Sequence, residues 1–323
     1  MKSFLLFSGL IVVLSLGLSY QVITLSQDYK AQKEVYASEL NYRNRFLDPD
    51  EWLNQEQAKV KLERSAERLT GIAKTQKQVY SWALGFLGLL ILYGAFIYWR
   101  FRQKRQYAIL VLGCIIAALV CLPVGLGAPM LEIGAFERNL NLGEIPISAR
   151  VMGFDVSVEV AQSFPGDIYF YYQSKSVLEL IGLLFQQRNW VVGLSILLFS
   201  VLFPLMKIGL TLWLIARKHN FPQFQSEHLD STNITSLTEQ QASTSNSWLT
   251  FFVEKSGKWS MADVFVVAVF LAFLAFSNMQ VGINTDSRVL VGLYFFLGYC
   301  LLSLISSTLV SKLKKDQPAK VAD

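Results

Sequence analysis

Lys207 and Asp263 are charged residues inside stretches that are otherwise apolar enough to cross a membrane. Lys207 follows Pro204 in the segment FPLMKIGL, and Asp263 lies at the head of the run SMADVFVVA. Within a bilayer each charge costs roughly 2.5–3.5 kcal/mol, so such residues usually pair with each other or face a wet cavity. We therefore predict that Lys207 and Asp263 are neighbours, joined as an ion pair or through a short polar chain. Ser200 and Ser260 are predicted to add further polar contacts.

This predicted pair has two interpretations. In the first, the pair only fixes the packing of two helices, or Lys207 extends its long side chain toward the nearer membrane surface. In the second, the pair forms a polar gate or a site for lipid head groups inside the helix bundle. Pro204 lies one turn before Lys207, where it leaves a backbone carbonyl without its helical donor and can kink the helix.

Membrane-spanning helices are the elements that must position these residues. The chain has 323 residues, of which 53% are hydrophobic, a fraction too high for an ordinary soluble protein of this length. Six segments are each long enough to cross about 30 Å of hydrocarbon. They are 3–25, 79–99, 107–130, 190–216, 259–279 and 289–310.

Short basic loops set the predicted orientation of these spans. RFRQKR follows the second span, ARKH the fourth and KLKK the sixth, and basic loops stay on the cytoplasmic side of a membrane. Both termini are then cytoplasmic, and we predict no nucleic-acid partner from the net charge of +5. The first span is interpreted as an uncleaved anchor. Its alternative is a signal peptide, but no A-x-A-like cleavage site follows it.

Two segments are predicted to lie outside the membrane on the opposite side. In residues 26–78, apolar stripes predict two antiparallel helices that stand about 30–45 Å off the membrane by helix rise. The stripes are Tyr29, Tyr36 and Leu40 on one helix, and Leu62, Ala66, Leu69 and Ala73 on the other. The stripes either pack only on each other or also dock a partner.

The second outer segment covers residues 132–175. The alternation in ISARVMGFDVSVEV and the aromatic run GDIYFYYQ predict a small β structure. Residues 177–184 have helical apolar spacing and are predicted to lie along the outer interface, with Glu179 facing water. Residues 218–250 form a cytoplasmic loop rich in Ser, Thr, Gln and Asn, and this loop is predicted to be disordered.

The sequence shows no pattern typical of catalysis or of metal binding. Cys114 and Cys121 are seven residues apart and share a helix face. There is no CxxC pair, and neither His219 nor His228 lies near an acid pair. The motifs HExxH, GxSxG and GxxxxGK[ST] do not occur. We predict a protein that is not an enzyme and that uses no metal and no cofactor.

Several short segments resemble one known family in their order and spacing. SGKWSMADVFVVA is similar to the G-[RK]-W-S-M-x-D-V-F signature of the paraquat-inducible protein A family. The matching positions are Gly257, Trp259, Ser260, Met261 and Asp263. SVLFPLMKIGL, with Pro204 and Lys207, resembles the Pro-Leu-x-Lys motif of that family. GAPML, with Pro129, resembles its Leu-Pro-x-Met turn but lacks the leucine before the proline.

The resemblance implies a four-helix membrane domain at 107–313 with a small extracytoplasmic β element. An N-terminal anchor, an extracytoplasmic helical hairpin and the second span precede it at 1–106, and a cytoplasmic tail follows at 314–323. The expected fold class is an all-α integral membrane protein with six transmembrane helices. The chain departs from many members because it has no CxxC zinc pairs and no second four-helix unit.

The resemblance also implies a location and a function. Members of the family are bacterial inner-membrane partners of MCE (mammalian cell entry) proteins, which form hydrophobic conduits for lipid across the envelope. The expected function is therefore that of an inner-membrane subunit that loads or unloads phospholipid for an MCE-domain partner. The alternative is a non-transporting scaffold or assembly factor that maintains the envelope.

Overall fold

The computed structural model describes residues 2–49, 55–101, 107–151, 154–210 and 284–315. Its elements, in chain order, are α1 (Lys2–Glu39), α2 (Tyr42–Phe46), α3 (Gln55–Phe101), α4 (Tyr107–Gly127), β1 (Leu131–Val151), β2 (Phe154–Lys175), α5 (Val177–Gln186), α6 (Trp190–Leu210), β3 (Asn284–Val289) and α7 (Val291–Lys315). The predicted span 259–279 and the predicted disordered loop 218–250 lie outside the described residues.

Five of the described helices are long and apolar enough to cross a membrane. Their candidate spans are Phe7–Glu39, Lys59–Arg100, Ile109–Gly127, Trp190–Leu210 and Val291–Leu309. Each candidate span overlaps one of the six predicted spans, and the remaining predicted span falls in the part of the chain that is not described. The fold is mostly helical, as predicted, with one three-stranded sheet.

The two longest helices, α1 and α3, form an antiparallel hairpin. Their register is fixed at one end by the hydroxyls of Ser8 and Tyr93, which lie 3.1 Å apart, and at the other by an ion pair between Glu39 and Arg68. The predicted pair of antiparallel helices is therefore present, and its place outside the membrane stays a prediction. Helix α3 also runs without a break from the hairpin into the second span.

Buried positions in the hairpin repeat every seven residues. Two such series are Ser8, Ser15, Val22, Tyr29 and Tyr36 on α1, and Ser65, Ile72, Val79, Phe86 and Tyr93 on α3. The stripe predicted on α1 is confirmed, but that predicted on α3 is wrong, since Ala66, Leu69 and Ala73 are exposed. The seven-residue repeat of buried positions continues along α3 and keeps one face of the helix toward α1. Ser65 lies on this buried face, and Leu69 does not.

The sheet has the strand order β2-β1-β3, and both pairings are antiparallel. Strands β1 and β2 form a hairpin whose register runs from Leu131 opposite Lys175 to Val151 opposite Phe154. The predicted β structure over 132–175 is thus confirmed. Strand β3 was not predicted, because its sequence NTDSRV is short and polar and lies directly before an apolar span.

Helices α4 and α7 pack closely enough that a glycine is required between them. A Cβ atom at Gly125 would come within 2.8 Å of the backbone of Phe296. At the sheet end of the pair, the backbone N–H of Gly292 donates to the carbonyl of Pro129. The buried core is shared between these helices and the hairpin, and it includes Val22 and Phe86. The division of the chain at residue 106 stays a prediction.

Candidate functional site

Helix α6 carries Lys207 and is irregular just before it. Residues Leu198–Leu202 form a wider π-helical turn, and Pro204 follows it. Proline has no N–H to donate to the carbonyl four residues earlier, that of Ser200, and its ring crowds that carbonyl. A π-turn is one way to accommodate such a break. The predicted disturbance of the helix at Pro204 is therefore present, and it takes the form of a π-turn.

The amine of Lys207 lies against α4 and α7. Its Nζ donates a hydrogen bond to Ser303 Oγ at 2.8 Å. Around it is a crevice of about 10 Å³, lined by Ile115, Ala118, Lys207, Ile208, Ser303 and Ser306. Ser303 lies in the half of the candidate span Val291–Leu309 that is farther from the sheet. The amine thus lies between apolar helices, beside a space that could hold about one water molecule.

The predicted partner of Lys207 lies outside the described residues, as do the other motif residues of that segment, namely Gly257, Trp259, Ser260, Met261 and Asp263. The pairing of Lys207 with Asp263 therefore stays a prediction. Ser200 is fully buried two turns before Lys207, and its Oγ has no hydrogen-bond partner among the described residues. It does not line the crevice around Lys207.

Ser303 and Ser306 were missed in the sequence as neighbours of Lys207. A serine in an apolar helix costs little when it bonds to its own backbone, so it carries no signal comparable to that of a charge. The signal that was present is the cluster of hydroxyls in LLSLISSTL, where Ser303, Ser306 and Ser307 follow one another closely. Ser303 and Ser306, three residues apart, fall on one helix face.

Pro129, a predicted motif residue, has a structural position. It is buried in the turn between α4 and β1. Its carbonyl accepts the Gly292 N–H at 3.1 Å, and the next carbonyl, of Met130, accepts the Leu290 N–H at 2.9 Å. The turn therefore fixes the sheet to the start of α7.

A second polar cluster joins the hairpin to the base of the sheet. The carboxylate of Glu132, which is 5% exposed, accepts a hydrogen bond from the Tyr29 hydroxyl at 2.8 Å and lies 3.4 Å from Lys33 Nζ. Lys30 Nζ, also buried, lies 2.5 Å from Glu179 Oε2. Charges buried in this way are usually paired, because an unpaired one would be costly. The cluster therefore ties α1 to both β1 and α5.

Glu179 has two roles in this cluster. Its backbone N–H donates to Ser176 Oγ and its carboxylate accepts from the Ser176 N–H, which makes a capping box at the start of α5. Partial burial by itself raises the pKa of Glu179. Hydrogen bonds from Lys30 and from the Ser176 backbone, together with the charges of Lys30 and Lys175, outweigh that effect and lower the pKa. The predicted helix over 177–184 is confirmed, but Glu179 is half-buried and paired rather than turned only to water.

Near Glu132, two hydroxyls are buried without a hydrogen-bond partner among the described residues. They belong to Tyr172 and Ser174, and Ser174 is the register partner of Glu132 across β1 and β2. Burial raises the pKa of Tyr172 above its usual range, and the negative charge of Glu132 adds to this. Tyr172 therefore remains a neutral hydroxyl at any physiological pH.

Together, the five apolar helices and the charge held between them define a multi-pass membrane protein. Residues 167–314, a little under half of the chain, match the family model of paraquat-inducible protein A, so this segment is similar to that family. The match begins in β2, so the hairpin, α4 and the GAPML turn lie before it. Comparison with curated proteins and with solved structures gives no significant match.

Proposed function

We propose that this protein is the membrane subunit of a system that moves phospholipid between the membranes of a bacterial envelope. It would lie in the inner membrane with both termini in the cytoplasm and would load or unload lipid for an MCE-domain partner. No catalytic activity is part of this proposal. The family of the segment 167–314 and the apolar helices support a membrane role.

The observation that carries the proposal is the amine of Lys207, held between α4, α6 and α7 at 2.8 Å from Ser303. Ionisable residues inside membrane spans are expensive, and by default they mark the path of a substrate or an ion. A lysine ammonium is a compact point charge that suits a phosphate group. Phospholipid head groups carry such a phosphate, and we propose that they contact Lys207 during loading.

The crevice around Lys207 is too small to hold a head group as it stands, at about 10 Å³. A head group would enter only when the helices around the amine separate. The π-turn at Leu198–Leu202 and Pro204 lie directly before Lys207 in α6, and irregular turns of this kind are frequent at functional hinges. We propose that α6 moves at this turn to open the site.

The second candidate is a scaffold that holds envelope proteins together without transporting lipid. The cluster of Lys30, Lys33, Glu132 and Glu179 supports it, because this cluster ties α1 of the hairpin to β1 and α5. In that case Lys207 and the predicted counter-charge Asp263 would only fix helix packing. An Asp263→Asn variant that accumulates normally and keeps full activity would favour the scaffold.

Co-purification tests the two candidates side by side. Tagged protein is extracted from its own membranes in mild detergent, and bound proteins and lipids are identified by mass spectrometry. Lys207→Ala is compared with Leu205→Ala, a change on the same helix at a residue that is 46% exposed. Phospholipid that is lost in Lys207→Ala and kept in Leu205→Ala, together with an MCE-type protein, supports transport. A bound partner with lipid that is equal in both variants favours the scaffold.

A further inference from the structure

A partly open cavity of about 910 Å³ lies between α3, α4 and α7. All of its lining residues fall within the candidate spans Lys59–Arg100, Ile109–Gly127 and Val291–Leu309. The cavity therefore lies at the depth of the hydrocarbon. Its volume is near the upper end of the roughly 300–1,000 Å³ that is usual for pockets that hold small ligands.

Contacts at two places hold α3 against its neighbours and leave this space between them. Toward the sheet, the rings of Phe86 and Phe295 stack with their centroids 5.0 Å apart. Toward the other end, Ile97 packs on α4, where a Cβ atom at Gly113 would come within 2.5 Å of Ile97 Cδ1. Both contacts use large apolar side chains, and their packing sets the distance of α3 from α4 and α7 on either side of the cavity.

The walls of the cavity are suited to hydrocarbon. Most lining residues are Leu, Ile, Ala and Gly, with the thiols of Cys114 and Cys121. Tyr93 also lines the cavity, but its hydroxyl lies within hydrogen-bond distance of Ser8 on α1. Apolar cavities do not hold ordered water, and an empty space of this size would be destabilising. Inside a bilayer, the acyl chains of lipids are the material available to fill it.

We propose that this cavity binds the acyl chains of a phospholipid. The site is separate from the crevice at Lys207, because Ile115, Ala118, Ser303 and Ser306 line that crevice and none of them lines the cavity. One wall comes from α3, which lies before the segment matched by the family model. The inference goes beyond the transport proposal, since chains bound here stabilise the packing of α3 whether or not lipid is transported.

Two glycines of α3 allow a matched test of this site. A Cβ atom at Gly94 or at Gly88 would meet nothing within 4 Å, yet only Gly94 lines the cavity. Leucine at either position raises helix propensity equally, so Gly94→Leu fills the cavity and Gly88→Leu is its control. Gly298→Leu, on the opposite wall and with open space around its Cβ position, is a second filling variant if Gly94→Leu does not yield a monodisperse protein.

The full chain is produced in cells fed with a phospholipid precursor whose acyl chain carries a photoreactive diazirine. The protein is purified in mild detergent, free lipid is washed away, and the sample is irradiated before peptide mass spectrometry. We expect label on the α4 and α7 peptides that carry Cys114 and Leu302 in the wild type and in Gly88→Leu. In Gly94→Leu we expect about tenfold less label on these peptides. This is the loss of affinity expected when the bound acyl chain loses contact for about two methylene groups.

Three outcomes would overturn the proposal. Equal labelling in Gly94→Leu and Gly88→Leu, with label on lipid-facing residues such as Val13, would show annular lipid only. Absence of label near Cys114 in the wild type would show that protein fills the cavity. Loss of label in Lys207→Ala with normal label in Gly94→Leu would place the lipid at Lys207. Normal label in the wild type, together with no phospholipid transport by the wild type, would leave this site intact and contradict only the proposed function.

Discussion

At the scale of single residues, Lys207 and its hydrogen-bond partner Ser303 form a polar contact between the apolar helices. The hydrogen bond between them joins α6 to α7 at 2.8 Å. It connects two segments that are far apart in the sequence, so its strength measures how firmly α6 is held at the proposed site. A weak bond would suit a helix that has to move during loading.

A double-mutant cycle with Lys207→Met and Ser303→Ala gives that strength. We expect a coupling energy of about 0.6–1.7 kcal/mol, the range of hydrogen bonds between membrane helices, because the unfolded state in detergent also finds partners. The measurement is the free energy of unfolding of the two single variants and the double variant. Ser307→Ala is the control, since Ser307 Oγ donates to the Ser303 carbonyl within its own helix. Strict additivity of Lys207→Met and Ser303→Ala would contradict the contact.

Glu179 predicts a pH effect on the junction between α1 and α5. Its pKa is lowered in the folded protein, so the carboxylate stabilises the fold above its unfolded pKa of about 4.3, and this contribution is lost as the pH falls through the lower folded value. Glu179→Gln is therefore expected to be less stable than the wild type at neutral pH, with a difference that shrinks below about pH 4.3. Melting temperatures of both proteins from pH 7 to pH 3 check this. A difference that stays constant over that range would contradict it.

Only some residues of the site could be recognised from the sequence. Lys207 was predicted because a charge in an apolar span is costly enough to stand out. Ser303 was missed because a hydroxyl in a helix has an ordinary cost, and only the fold shows that it faces Lys207. The cluster of Lys30, Lys33, Glu132 and Glu179 was missed because its members come from distant segments whose charges look like an ordinary polar surface.

At the scale of elements, the close approach of α4 and α7 organises the helices around both sites. Gly125 lies directly against the backbone of Phe296. Small residues let membrane helices approach in this way, and van der Waals contact then holds them together. The same pair of helices lines the Lys207 crevice and the cavity beside α3.

Gly125→Val is expected to force α4 and α7 apart and to lower the free energy of unfolding by about 1–3 kcal/mol, as overpacking does. The backbone of Phe296 is the atom group in its way, and backbone cannot rotate aside. Gly17→Val on α1 is the control, because a Cβ atom there meets nothing within 4 Å. Unfolding in detergent, followed by the loss of monodisperse protein on heating, provides the measurement. Equal stability of the two variants would contradict the close approach.

Elements with regularly spaced apolar residues could be predicted from the sequence. A strand that exists because its backbone pairs with a distant strand could not. The hairpin, α5 and the strands over 132–175 follow from apolar spacing. Strand β3 has no such pattern, and it exists because its backbone pairs with β1 from Leu131 to Phe136. The apolar stripe on α3 was predicted on the wrong face of the helix. The buried face includes Ser65, a polar residue that a search for apolar spacing does not select.

At the scale of the whole molecule, helix α1, the pair of α4 and α7, and the long hairpin of β1 and β2 are joined at one end. The turn at Pro129 and the cluster around Glu132 both lie there. A lipid that left the membrane at this end would meet structure already held in place. This arrangement fits a subunit that passes lipid to a partner outside the bilayer, which is the proposed function.

The most direct test of that function is the exchange of phospholipid between the inner and outer membranes of living cells. Newly made phospholipid is pulse-labelled with a stable isotope, and its arrival in separated membranes is followed in a deletion strain that carries wild type, Lys207→Ala or Leu205→Ala. We predict a normal exchange rate with wild type and Leu205→Ala, and a rate as slow as that of the deletion strain with Lys207→Ala. An exchange rate that is equal in all strains, at equal protein levels, would contradict the account.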